Sequence, residues 1–189
     1  MNTTKIVRLS MMAMLSAIAV VLVILYRTPL LAAAPYMEYD MADVPVLIAT
    51  MMFGVLPGLS VLLLVSVIQA FLLGGNGWIG LVMHFIASGT LVLIVGLFRC
   101  KTVRGWKTVL GMVLGTLGMA AVMIPMNLIL APLFLGQTVK AVVAMLIPII
   151  VPFNILKAGI NCAITFILMT ALSPIMKKTP QLFPGCKIK

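Results

Sequence analysis

Long apolar runs separated by short polar stretches dominate the chain. Runs at Leu9–Tyr26, Val44–Phe53, Leu59–Leu73, Ile79–Phe98, Val109–Leu130 and Leu146–Leu172 predict six helical segments. Most approach or exceed the ~20 residues that an α-helix needs to cross a ~30 Å hydrocarbon core. Inside lipid every backbone N–H and C=O must be paired within the protein, so runs of this kind are helices. The alternation with period two that marks a membrane β-barrel is absent. The second run is different. Its ten or so residues, at ~1.5 Å each, fall short of the bilayer thickness, and Gly54 and Pro57 then interrupt the chain. It is expected as a short helix packed inside the bundle or as a re-entrant segment. The reading is an all-α integral membrane protein, a bundle of six transmembrane helices with one of them short, in one membrane-embedded domain over residues 1–189.

Composition agrees. Apolar residues make up 63% of the chain, charged residues 8%, and mean hydropathy is +1.29, far from the charged surface of a soluble domain. Charge then orients the bundle. With the N-terminus inside, the inner segments carry Lys5, Arg8, Arg99, Lys101, Arg104, Lys107, Lys177, Lys178, Lys187 and Lys189 and no acid. The outer segments carry Arg27 and Lys140 together with Glu38, Asp40 and Asp43. This positive-inside asymmetry predicts a multi-pass membrane protein with both termini cytoplasmic. It also accounts for the net charge of +10 without nucleic acid as a partner. Ala32-Ala33-Ala34 has the look of a signal-peptidase site, but it lies well past the end of the first run, so that run is expected to remain as a helix.

The absences narrow the function. There is one histidine, His84, and no H-E-x-x-H or other metal constellation. Gly96 to Thr102 ends in Lys-Thr but lacks the glycine before the lysine that a phosphate-binding loop requires. No G-x-S-x-G elbow occurs. Cys100, Cys162 and Cys186 fit neither a disulfide framework nor a metal site. The chain is expected to be no enzyme, to carry no cofactor, and not to drive transport by itself.

Polar side chains within apolar spans mark cavities or helix contacts. Asn127 lies in the fifth run, and Asn154, Lys157 and Asn161 follow at i, i+3 and i+7 in the sixth, on one helical face. Pro125, Pro132, Pro148 and Pro152 flank them and are expected to open the helix ends into a mouth. As alternatives, the asparagines serve as interhelical glue and Lys157 snorkels outward. The first outer loop, residues 27–43, holds every acid of the chain together with Tyr36 and Tyr39. Met37-Glu38-Tyr39-Asp40 sets apolar bulk, an aromatic plane and acceptors side by side, as a loop folded over a polyol-binding site does. Solvated surface is the alternative. Asn76 and Trp78 form a third outer element, with Trp78 also suited to anchoring at the interface. His84 is expected to be a structural histidine.

Glu38-Tyr39-Asp40-Met41-Ala42-Asp43-Val44-Pro45 resembles the E-Y-D-x-x-D-V-P signature of riboflavin-type S components of energy-coupling factor (ECF) transporters. Size, six apolar segments, the acidic first outer loop, and Asn and Lys in the last spans extend the resemblance over most of the chain. It implies a membrane subunit that captures riboflavin from outside as a transported ligand. It also implies as partners a transmembrane coupling subunit and two cytoplasmic ATPase subunits. Ala13 and Ala17 match the family's A-x-x-x-A motif for docking the coupling subunit, although such spacing equally serves packing within the bundle. Riboflavin suits the residues found independently: a flat, largely apolar ring for an apolar slot, and hydroxyls for Glu38, Asp40 and the asparagines. Few outer bases make FMN the weaker ligand. The competing readings are an S component for another vitamin, a stand-alone facilitator, a membrane assembly protein, and, last, a membrane enzyme.

Overall fold

The computed structural model describes residues 3–31, 34, 37–74, 76–99, 105–136 and 138–178. Tyr36, Ala32 and Ala33, Cys100, Cys186, Lys101, Arg104, Lys187 and Lys189 lie outside the described residues.

The chain runs through α1 (Thr3–Leu25), two short strands β1 (Thr28–Pro29) and β2 (Glu38–Tyr39), then α2 (Asp43–Phe53), α3 (Val55–Leu72), α4 (Gly77–Leu97) and α5 (Trp106–Leu135). A final rod follows without a break: α6 (Val139–Met145), a π turn (Leu146–Ile150) and α7 (Val151–Lys178). Counting that rod as one, five helices are long and apolar enough to cross a membrane, and α2 is the short one. Large apolar side chains such as Leu64, Leu93, Leu117 and Ile167 point outward, as lipid-solvated helices require, because lipid tails are as apolar as leucine. The core lies around α2 and takes in Leu47, Leu62, Val65, Leu91, Val92, Met119 and Met169.

Every residue of α2 is buried. It touches α1, α3, α4 and α7, so of the two expectations it is the packed short helix that is observed. Its C-terminal carbonyls have no following turn to pair with. Gly54 ends it with φ +114°, a backbone conformation that side-chain-bearing residues rarely adopt. The Gly54 N–H and the Arg99 guanidinium both donate to the Thr50 carbonyl, the latter at 3.3 Å. Arg8 lies over the Phe53 ring, 5.5 Å from its centroid. Two cations thus meet the negative end of the α2 dipole. α3 turns back close against α2 at Gly58, where a Cβ would come within 2.0 Å of Thr50 Oγ1.

Two predicted boundaries move. The fifth span runs on to Leu135, through Pro125 and Pro132, instead of ending near Leu130. Each proline forfeits one backbone bond, and in an apolar setting unwinding the helix would forfeit several more. The last rod begins at Val139, not near 146, because the Thr138 side chain caps it by accepting from Ala141 N. Pro148 sits within the π turn, whose wider winding fits a residue lacking N–H. The rod then continues through Pro174 to Lys178.

Candidate ligand cavity

The cavity opens at the end of the bundle that holds the loop between α1 and α2. That loop is held at its base by β1 and β2, which pair antiparallel with Thr28 opposite Tyr39 and Pro29 opposite Glu38. Its aspartates are not solvated. Asp40 is 2% exposed and Asp43 1% exposed, so the alternative of an ordinary solvated acidic loop fails for both.

Buried carboxylates need partners, and the last helix supplies them. Lys157 Nζ donates to Asp40 Oδ2 at 2.8 Å. Gln69 of α3 donates to the same oxygen at 3.2 Å. The other oxygen, Oδ1, accepts from Ala42 N at 3.0 Å and so caps the chain into α2. Burial raises the Asp40 carboxyl, but the Lys157 ammonium beside it and the hydrogen bonds from Lys157 and Ala42 outweigh that, holding it below the usual carboxylate range. One turn along α7, Asn161 donates to the Asp40 carbonyl at 3.2 Å and to Asp43 Oδ2 at 3.3 Å. Asn161 also accepts from the Tyr39 hydroxyl at 2.9 Å. Burial, and then the neighbouring Asp40, push the Tyr39 phenol above its ordinary range, so it stays a donor.

Met37 extends from the loop to an apolar cluster of Ala131, Val142 and Ile150, drawn from α5, α6 and the π turn. Arg27 pairs with Glu38 and donates to the Leu73 carbonyl at the turn into α4. The loop is therefore fixed on both sides of the opening.

Beneath it lies a half-open cavity of about 170 Å³. Of the residues singled out in the sequence, Lys157, Asn127, Asn154, Glu38, Asp40, Met37 and Asn76 line it. Tyr39 and Asn161 stand one layer behind, holding the loop instead of facing the space. Trp78 is 58% exposed at the start of α4 and is not part of the wall. Asn76, with φ +66°, shapes the turn before α4. Gln69, which the sequence reading did not single out, His84, which it took as structural, and Arg27, which it counted only as an outer-loop charge, also line the space. Gln69 and His84 carried the same signal as the asparagines, a polar side chain within an apolar run. Met83, Ala87, Met119, Met123 and Phe153 complete an apolar lining.

The polar lining is rich in acceptors. Asn127 and Asn154 each spend their N–H group on a carbonyl one turn back, Met123 O and Ile150 O, both at 2.8 Å. Their amide oxygens remain available to the cavity. Among the described residues no group of three or more His, Cys, Asp or Glu side chains is placed to hold a metal ion.

A family model described as "ECF transporter, substrate-specific component" matches residues 7–169. The chain belongs to that family. This S component is 33% identical over 179 residues to the riboflavin transporter RibU of Streptococcus thermophilus, covering 90% of this chain and 82% of that one. It is 29% identical to the riboflavin transporter FmnP of Bacillus subtilis, over 90% of this chain and 94% of that one. A solved S component of a bacterial ECF transporter superposes with a TM-score of 0.79 at 28% identity, covering 92% of this chain and 99% of that one. Family and relatives are transporters, not enzymes. The S component's first helix, α1, packs only against α2 and α3 among the helices with substantial contacts. It buries Ser16, Ala19 and Val23 and leaves Ala13 and Ala17 exposed on its outer side.

Proposed function

We propose that this S component captures riboflavin from the outer face of the bacterial cell membrane, for ATP-driven uptake. The observation that carries the reading is the chemistry of the cavity wall. A methionine-lined apolar slot suits a flat aromatic ring system. Above it stand the Asn127 and Asn154 amide oxygens and the carboxylates of the loop, which accept from hydroxyls, and the Lys157 ammonium, whose two remaining protons are free to donate. Riboflavin carries both an apolar ring and a chain of hydroxyls. The names of the similar riboflavin transporters point to the same ligand.

The loop from Arg27 to Asp43 acts as the cover of the site, and α5 and the last rod form its wall. Both termini are cytoplasmic. Energy comes from partners, a transmembrane coupling subunit and two cytoplasmic ATPase subunits, with the exposed Ala13 and Ala17 stripe as the docking face. Small residues four apart allow close backbone approach between helices.

Titrating purified protein in detergent with riboflavin, read by quenching of flavin fluorescence, tests the reading. Saturation near one flavin per chain, weakened by Asn127→Ala, is the expected result. Absence of binding by folded protein, or sustained concentrative uptake by liposomes containing this chain alone, would contradict it.

A further inference from the structure

Six buried side-chain polar atoms have no hydrogen-bond partner among the described residues, and four of them, Asp43 Oδ1, Ser66 Oγ, Ser88 Oγ and Thr170 Oγ1, belong to residues off the cavity wall. The other two are His84 Nε2 and Gln69 Oε1. Both residues line the cavity, from the neighbouring helices α4 and α3. A buried polar atom without a partner is costly, and only at these two does the residue also border an open space that a ligand could fill.

The orientation of Gln69 is defined by chemistry. Its NH₂ group donates to the Asp40 carboxylate, which only accepts, so the free end is the amide oxygen. His84 lies about 10 Å along α4 from its first residue, at ~1.5 Å per residue. Ala87 follows it one turn deeper, toward the methionine floor. The two side chains therefore stand between the polar mouth and the apolar floor.

We propose that His84 and Gln69 form a second recognition edge, which reads the hydroxyl chain of the ligand while the apolar floor takes its ring. The assignment rests on the riboflavin reading above and adds to it which part of the ligand these residues touch. A hydroxyl both donates and accepts, so it satisfies the Gln69 oxygen as donor and His84 in either neutral tautomer. The methyl-bearing edge of a flavin offers neither function. Its pyrimidine edge holds one N–H and two carbonyls in fixed positions and satisfies both orphans only in a single pose. A polyol chain adjusts by bond rotation.

The test compares riboflavin with lumiflavin, which has the same ring and a methyl group in place of the hydroxyl chain. Dissociation constants for both are measured on the full chain in detergent, with His84→Phe, His84→Gln and the parent protein, alongside the ligand-free Tm. His84→Phe should raise the riboflavin Kd about tenfold, the worth of one hydrogen bond, and leave lumiflavin unchanged. His84→Gln should recover part of the loss. Because Nε2 has no partner in the ligand-free protein, the Phe variant should keep or raise its Tm. An unchanged riboflavin Kd, an equal loss for both flavins, or a lowered ligand-free Tm in both variants overturns this assignment alone. Parent protein that binds neither flavin overturns the riboflavin reading with it.

Discussion

Lys157 Nζ lies 2.8 Å from Asp40 Oδ2, joining the first loop to the last helix across 117 positions of sequence. Both side chains are almost wholly buried, at 8% and 3% exposure. A pair in that setting is held by geometry and by its additional hydrogen bonds, and removing one member strands the other charge.

Asp40→Ala and Lys157→Ala should each destabilise the protein by about 3–5 kcal/mol, while Asp40→Ala combined with Lys157→Met should cost much less than the sum. Thermal unfolding of the purified variants in detergent gives the comparison. Additive losses would show that the pair is not coupled.

Glu38 is the ion-pair partner of Arg27 at the opening of the cavity. Its negative charge opposes a phosphate on the ligand and occupies the guanidinium that would receive one. FMN is expected to bind more weakly than riboflavin, and Glu38→Gln should narrow that gap by about fivefold, as an exposed pair is worth about 1 kcal/mol. Competition titrations with the two flavins decide the point. A gap unchanged by the substitution would place the phosphate elsewhere.

Close approach of α2 and α3 depends on Gly58, where a Cβ would stand 2.0 Å from Thr50 Oγ1 and 3.1 Å from its Cα. Rotating the hydroxyl away leaves the backbone clash in place. Gly58→Ala should therefore lower the Tm markedly, with a cost in the range of about 1–3 kcal/mol for overpacking. Gly159 has open space around the corresponding position, and Gly159→Ala should leave the Tm of the isolated chain unaltered. Equal behaviour of the two variants would contradict the packing described.

Ala13 and Ala17 are exposed on α1, away from the cavity. Replacing both by Trp should preserve riboflavin binding in detergent and abolish uptake by cells that supply the energising partners. Loss of binding in the isolated chain would assign the two alanines to the bundle instead.

The apolar runs carried most of the architecture, since lipid leaves so few choices for backbone pairing. Even the short second run was visible from its length and from Gly54. The extension of α5 through Pro132 was not, because the prolines were expected to open the helix ends where the surrounding medium favours a continued helix. In the site, Asn127, Asn154 and Lys157 were legible as polar residues in apolar spans. The meeting of Asp40 with Lys157, and of Tyr39 with Asn161, depends on tertiary placement of residues more than a hundred positions apart, which no local pattern carries. Gln69 and His84 are a different case. Gln69 carried the signal and was not singled out, while His84 was read as structural, because a lone polar residue in a span is equally well explained by a contact between helices.

The burial of α2 on every side bears on the order in which the protein is assembled. Eleven residues are too few to be inserted as an independent span, and one of the helices that encloses them, α7, is made long after them. Until α7 arrives, Asp40 and Asp43 have no Lys157 or Asn161 to meet, and one flank of α2 is uncovered. Insertion of the spans and completion of the binding site are thus separate events, the second waiting on the final helix. A nascent chain halted before α7 therefore carries the earlier spans but lacks the cavity wall that Phe153, Asn154 and Lys157 supply.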